Sequence, residues 1–151
     1  RLRRFQLSES KMIRLRDIKV INHSFKLAEK YKIPYGYTMV SVLADNGKIL
    51  SIGNNNYNKT HAKQPQNRGN NLIPTHAEVK CLARYLVKNR TITDKMSLYI
   101  VGITKAKISN PCISSMPCSS CMQYITDHNV KRIVYITNEF NKMTVKEIVF
   151  K

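Results

Sequence analysis

The chain has no tryptophan and few acids: nine Asp and Glu stand against 26 Lys and Arg, a formal charge of +17 over 151 residues. Without an indole, any stacking on a ligand ring falls to the smaller aromatic side chains. Long apolar runs are missing too. None approaches the roughly 18 residues of a membrane span, so no membrane partner is expected. The basic start, residues 1–11, lacks the apolar core of a secretory signal, and an intracellular protein, cytoplasmic or nuclear, is expected. The first residue is arginine rather than methionine, so the start reads as trimmed or processed. Only four cysteines are present: Cys81, Cys112, Cys118 and Cys121. In a reducing compartment such cysteines more often bind metal or do chemistry than form bridges.

Apolar residues make up 42% of the chain, too many for disorder by composition. Its length suits one domain that buries about 70% of its unfolded surface without disulfides. The charge has two sources to weigh. A polyanionic partner is one. Drift in codon usage is the other, because Lys, Asn and Ile are all common here, as in proteins from AT-rich genomes.

Residues 1–16 read as a basic leader and residues 17–151 as one domain. Within 17–31, Ile18, Ile21, Phe25 and Ala28 recur at helical spacing, and Pro34 and Gly36 end that helix. Residues 37–44 are β-rich. Asp45-Asn46-Gly47 signals a hairpin, with a return strand over 48–52. A long polar stretch, 53–74, carries Lys59, Lys63 and Arg68; loops of that length in a compact domain are usually functional or mobile. Residues 76–88 read as a second helix, 97–103 as a strand, 105–116 as a loop, 118–128 as a third helix and 132–137 as a strand. The end, 144–151, is open between two assignments. Val145, Ile148, Val149 and Phe150 suit a strand, while Thr144-x-x-Glu147 looks like a capping box. The order α-β-β-α-β-α-β implies a mixed or parallel sheet covered by helices.

Two short stretches carry chemistry. Pro74-Thr75-His76-Ala77-Glu78 opens the second helix, and Pro117-Cys118-Ser119-Ser120-Cys121 opens the third. Cys118 and Cys121 lie three apart on a helix, so both thiolates face one way and can bind one metal. His76 adds a nitrogen ligand. Three protein ligands leave the fourth tetrahedral position open, the catalytic rather than the structural pattern for zinc. Helix N-termini favour the thiolates that binding needs. Positions i and i+2 do not share a helix face, yet at a first turn His76 and Glu78 can both reach a metal near the axis. Glu78 can then carry a proton between a bound, acidified water and a ring nitrogen. Blander readings exist for each half. Thr75 and Glu78 also fit a capping box, and Cys-x-x-Cys after a strand also fits a thioredoxin-like redox motif. Only the joint reading uses all four residues.

H-x-E followed by P-C-x-x-C resembles the cytidine deaminase-like zinc superfamily, over roughly residues 37–137. That superfamily includes cytidine, deoxycytidylate and tRNA adenosine deaminases and polynucleotide cytosine deaminases. The resemblance implies an α/β fold with three α-β-α layers, a five-stranded mixed sheet flanked by helices. It implies one Zn2+ per chain, held between two helix starts by His76, Cys118 and Cys121, with Glu78 as the catalytic proton shuttle. It also implies an asparagine after the second strand that contacts the substrate. Asn55, within Asn54-Asn55-Asn56, takes that place. The Ala77 N–H would hold the base, and the backbone near Pro117 would receive the leaving amine. His76 and Cys118 are 42 residues apart, longer than is usual for the pattern, with the excess expected in 88–94 and 105–116. Cys112 has serine three residues on and is read as a decoy. Cys81 is read as a core thiol. His61-Ala62-Lys63 lacks the glutamate, and His61 is kept as a candidate substrate contact in the long loop. His23 and His128 are read as surface or packing residues.

Substrate choice rests on charge. Lys59, Lys63, Arg68, Lys105 and Lys107 fall in the two loops before the motifs, with Tyr57 among them. Phosphate is favoured there. The expected reaction is cytosine to uracil in single-stranded nucleic acid. A pyrimidine nucleotide such as deoxycytidylate, or cytidine, is the alternative. Adenosine in tRNA and a catalytically silent, zinc-stapled nucleic-acid-binding module stand behind it. Members of the superfamily occur as monomers, dimers and tetramers, so a homo-oligomer stays open.

Overall fold

Asp45-Asn46-Gly47-Lys48 folds back on itself as the sequence demands. Asn46 and Gly47 both take positive φ, 52° and 91°, the geometry of the two-residue turn whose twist matches paired strands. A computed structural model describes residues 6–7, 13–31, 36–55, 76–88, 90–104, 112–140 and 142–150. The elements are β1 (Gln6–Leu7), α1 (Leu15–Lys30), β2 (Tyr37–Asp45), β3 (Lys48–Asn54), α2 (Ala77–Leu86), β4 (Met96–Thr104), β5 (Cys112–Ile113), α3 (Ser119–Asp127), β6 (Arg132–Glu139) and β7 (Lys142–Val149).

The strands form one mixed sheet in the order β1-β7-β6-β4-β2-β3, with β5 added to β4. Five long strands make its body, and β1 and β5 contribute two residues each. β4 is buried from Met96 to Ile103, as befits a central strand covered on both faces. It runs antiparallel to β2 and parallel to β6. α1 covers one face, packing Val20, Ile21 and Ala28 on Val40, Val42 and Val134. α2 and α3 cover the other, packing Val79, Leu82 and Ile125 on Leu43, Leu98 and Ile133. Each fully buried Leu, Ile or Val side chain contributes roughly 1.5–3 kcal/mol. The result is the expected three-layer α-β-α arrangement. Among the described residues, no helix is long and apolar enough to cross a membrane.

The ambiguous C-terminal segment is a strand. β7 pairs antiparallel with β6 from Arg132↔Val149 to Glu139↔Lys142. Met143 and Val145 turn to the α1 face, while Ile148 and Phe150 turn to the other. That alternation is the period of a strand. Glu147 makes no cap, because its carboxylate binds Arg132 Nε at 2.7 Å.

Arg132 ties the layers together. Its guanidinium also donates to Asp17 at 3.0 and 2.9 Å and to Ser97 at 3.1 Å. Asp17, fully buried at the start of α1, accepts further bonds from the Tyr99 hydroxyl and the Arg14 N–H. Burial pushes the Asp17 carboxyl up, but the bonds from Arg132, Tyr99 and Arg14 outweigh it and hold the group below its usual 3.8. A carboxyl depressed in the folded state adds stability that is complete above its unfolded value and is lost as pH falls through the folded one.

Replacing Arg132 by Met strands a buried carboxylate. The expected cost at pH 7 is about 3–5 kcal/mol, read from urea unfolding. The difference from wild type should shrink below about pH 4 as Asp17 takes up its proton. A gap of equal size at pH 7 and pH 3 would contradict this account.

Candidate active site

α2 and α3 start in the same way. His76 is the N-cap of α2 with φ −90°, ψ 149°, and Cys118 is the N-cap of α3 with φ −69°, ψ 168°. Both are extended residues that hand the chain into a helix. Their carbonyls accept the first helical bonds, from Lys80 at 3.1 Å and Met122 at 2.8 Å. Neither side chain caps its own helix, unlike the start of α1, where the Asp17 carboxylate accepts from the Arg14 N–H at 2.8 Å. Instead they meet each other. His76 Nδ1 lies 3.0 Å from Cys121 Sγ and 3.5 Å from Cys118 Sγ. One ligand atom from each of the three falls within 4.8 Å of the others. The helix therefore begins at His76 rather than at Thr75, which lies outside the described residues, and the capping-box reading of Thr75 with Glu78 loses its frame.

This start resolves the spacing of His76 and Glu78. His76 is not yet helical, so its side chain is not bound to the helical face pattern. Glu78, in the first turn of α2, is 4% exposed. Burial pushes its carboxyl up, against smaller opposing effects of its own backbone N–H, His76 and Cys121. Cys118 goes the other way. Hydrogen bonding from Cys121 and His76, with a further bond from Ser120, pulls its thiol down to about 3, so it is a thiolate at neutral pH. The same Cys118 contact raises His76 above its ordinary value. Two soft sulfurs and one imidazole converging at helix N-termini form a donor set that fits zinc, and three donors leave a fourth position open.

Gly53 and Ser115, which sequence reasoning passed over, position this cluster. A Cβ on Gly53 would stand 2.5 Å from the Cys81 nitrogen and 2.6 Å from the Ala77 oxygen. β3 and α2 thus touch backbone to backbone, and only glycine admits that. Ser115 is fully buried where β4 and β6 part beyond Ile100↔Tyr135. Its hydroxyl bonds the Ile100 carbonyl at 2.7 Å and the Ile136 N–H at 2.9 Å, and its N–H donates to the Ile136 carbonyl at 2.9 Å. It fills the gap in the ladder and delivers Pro117 and Cys118 to α3. A glycine inside a strand pattern is a legible signal; a serine in a polar loop is not.

The remaining candidates are placed as follows. Ala77 and Pro117 are buried beside the cluster residues they adjoin in sequence. Asn55 follows β3, and its carboxamide accepts from the Met39 N–H at 2.8 Å and donates to the Tyr37 carbonyl at 3.0 Å. One amide hydrogen and one lone pair remain. Cys81 is a core thiol, pushed up to about 12 by burial. Cys112 is buried on β5, likewise pushed up to about 12 by burial, and stands outside the metal cluster. His61, Lys59, Lys63, Arg68, Lys105, Lys107 and Tyr57 lie outside the described residues.

Residues 15–137 match the family described as the cytidine and deoxycytidylate deaminase zinc-binding region. The chain belongs to that family, and with it to the zinc-dependent hydrolytic deaminases. Its fold is similar to a cytidine deaminase from Burkholderia pseudomallei, with a TM-score of 0.55 and 18% identity over 85% of this chain and 90% of that one. No curated protein sequence matches it significantly.

Gly53→Ala should lift α2 off β3. The expected result is a thermal midpoint lower by several degrees, on the scale of about 2 kcal/mol or more, together with weakened zinc retention under dialysis against a chelator. Unchanged retention and midpoint would mean that the close approach does not position the cluster.

Proposed function

We propose that the chain deaminates cytosine to uracil hydrolytically, with single-stranded nucleic acid as the carrier of the base. The acid-free basicity of the segments leading into the site carries the choice of substrate. Residues 53–74 and 105–116 hold Lys59, Lys63, Arg68, Lys105 and Lys107 and no Asp or Glu, and they run into the two N-caps. A free nucleoside has no use for such a field; a phosphate backbone does. Deoxycytidylate is the second reading, supported by the family's own description.

In this reading His76, Cys118 and Cys121 hold the zinc. When bound, zinc supplies Lewis acidity that lowers the pKa of water towards neutrality. Glu78 takes a proton from the attacking water and delivers it to the ring nitrogen beside the reacting carbon. A carbon–oxygen bond forms; Glu78 then carries the remaining proton from the new hydroxyl to the amino group, the carbon–nitrogen bond breaks and ammonia leaves. Burial suits Glu78 to this exchange, because a carboxyl with a raised pKa can both accept and return a proton near neutral pH. The Ala77 N–H, one of the donors a helix start leaves unpaired, holds the base. The Pro117 carbonyl receives the departing amine. The spare amide hydrogen and lone pair of Asn55 contact the sugar, and His61 contacts the substrate from the long loop. An intact, buried Glu78 argues against a silent zinc staple, which has no use for it.

Two experiments test the reading. Glu78→Gln should keep about one zinc per chain by elemental analysis and lose at least about 10²-fold in kcat, whereas His76→Ala should lose the metal. Full activity in Glu78→Gln would end the mechanism. A substrate panel of cytidine, deoxycytidylate, single- and double-stranded oligonucleotides and tRNA should show turnover of single strands, with KM rising steeply with salt. Turnover of deoxycytidylate alone would transfer the assignment to the mononucleotide.

A further inference from the structure

A cleft with a volume of about 560 Å³ opens between the free edge of β3 and the C-terminal half of α2. None of the zinc-site donors lines it. Arg84, Lys88 and Arg90 do, and no acid does among the described residues. None of these three cations is in an ion pair among the described residues. Tyr31, 38% exposed, and Val87, 78% exposed, add apolar surface at the rim. The Arg90 guanidinium stands 5.9 Å over the Tyr85 ring. Arg84 donates to the Ile52 carbonyl at 3.0 Å, which holds its guanidinium in place and occupies one acceptor of the strand edge.

α2 links the cleft to the site, with His76 at its N-terminus and Arg84 and Tyr85 in the cleft wall. Lys80 and Arg84 follow one another at four-residue spacing on α2, and Lys88 lies just beyond its last turn, so the three lead from the His76 end of the helix to the cleft. Arg84 lies about 12 Å along the axis from His76. Lys80, one turn from His76, donates to Asn54 at 3.1 Å, and Asn54 itself lines the cleft. Like charges at this spacing repel, so the row weakens the helix that carries it. An external polyanion relieves that repulsion.

We propose that this row of cations and the cleft are a track for the phosphate backbone of a single-stranded nucleic acid whose target base enters the zinc site. Arg84, Lys88 and Arg90, without acidic partners among the described residues and set beside Tyr31 and Tyr85, present the chemistry of single-strand binding. A second copy of the chain is the competing occupant of a sheet edge, but it brings the same charge of +17 and meets an edge already engaged by Arg84. The inference rests on the polynucleotide reading above.

Lys88→Glu combined with Arg90→Glu tests it, because both side chains are exposed and neither holds the fold. Thermal midpoint and zinc content report an intact domain. The probe is a fluorescent single-stranded oligonucleotide long enough to run from His76 past Arg90, titrated at several salt concentrations. The double variant should raise its Kd at least tenfold and flatten the slope of log Kd against log salt by about 1.5. KM for deamination of the same oligonucleotide should rise with kcat kept. Equal Kd and salt slope in variant and wild type would overturn the track while leaving the polynucleotide reading standing. Wild-type turnover of deoxycytidylate but of no oligonucleotide would overturn that reading, and the track with it. Loss of self-association at unchanged oligonucleotide affinity would make the edge a dimer face and overturn the track.

Discussion

Two helix starts that decline to cap themselves underlie the site. A helix N-terminus leaves backbone donors unpaired, and a polar side chain at the cap position normally takes one of them. His76 and Cys118 occupy that position and face each other instead. The positive ends of both helix dipoles therefore meet around one place. There Cys121, His76 and Ser120 lower the thiol of Cys118 by hydrogen bonding, and the helix ends favour negative charge. A zinc held by His76, Cys118 and Cys121 would tie the two helices together.

Such an arrangement tolerates little play, and the packing around it reflects that. Gly53 lets β3 approach α2 at backbone contact, and Ser115 stitches the parting strands β4 and β6 just upstream of Pro117. On the opposite face, Arg132 joins Asp17 of α1, Ser97 of β4 and Glu147 of β7. The polar network there is paired throughout, which is the condition under which buried charge is not destabilising. The Asp17–Arg132 pair binds the layers and takes no part in the chemistry.

Local signals in the sequence were strong where chemistry or geometry leaves few options. Asn46-Gly47 predicted its turn, and the joint pattern His76, Glu78, Cys118, Cys121 predicted a cluster that sequence separation alone conceals. The end of the chain was ambiguous because Thr144 and Glu147 satisfy a capping pattern while Val145 and Ile148 satisfy a strand. The choice was made by the free edge of β6 and by Arg132, neither visible from residues 144–151. The helix start was misjudged by one residue for a related reason. Thr75 is the better capping residue by propensity, but tertiary contact with Cys118 and Cys121 places His76 at the boundary. Ser115 was illegible because its burial comes from the divergence of two strands distant from it in sequence.

Charge and chemistry divide along α2. The N-terminal end of this helix holds buried, acid-containing machinery: Glu78 at 4% exposure beside His76. Further on come half-buried Lys80 and exposed Arg84 and Lys88, with no acid between residues 79 and 93. Uniform codon drift would scatter lysine over every exposed surface and has no reason to select the helix that opens the site. A row of like charges costs helix stability, and its place on the helix that opens the site makes a directional use of the charge the more economical explanation. The net +17 then has a structured component along α2 as well as a general one. The structured part bears on how a nucleic acid strand would lie across the molecule, while the proposed bond-breaking step rests on the four residues at the two helix starts.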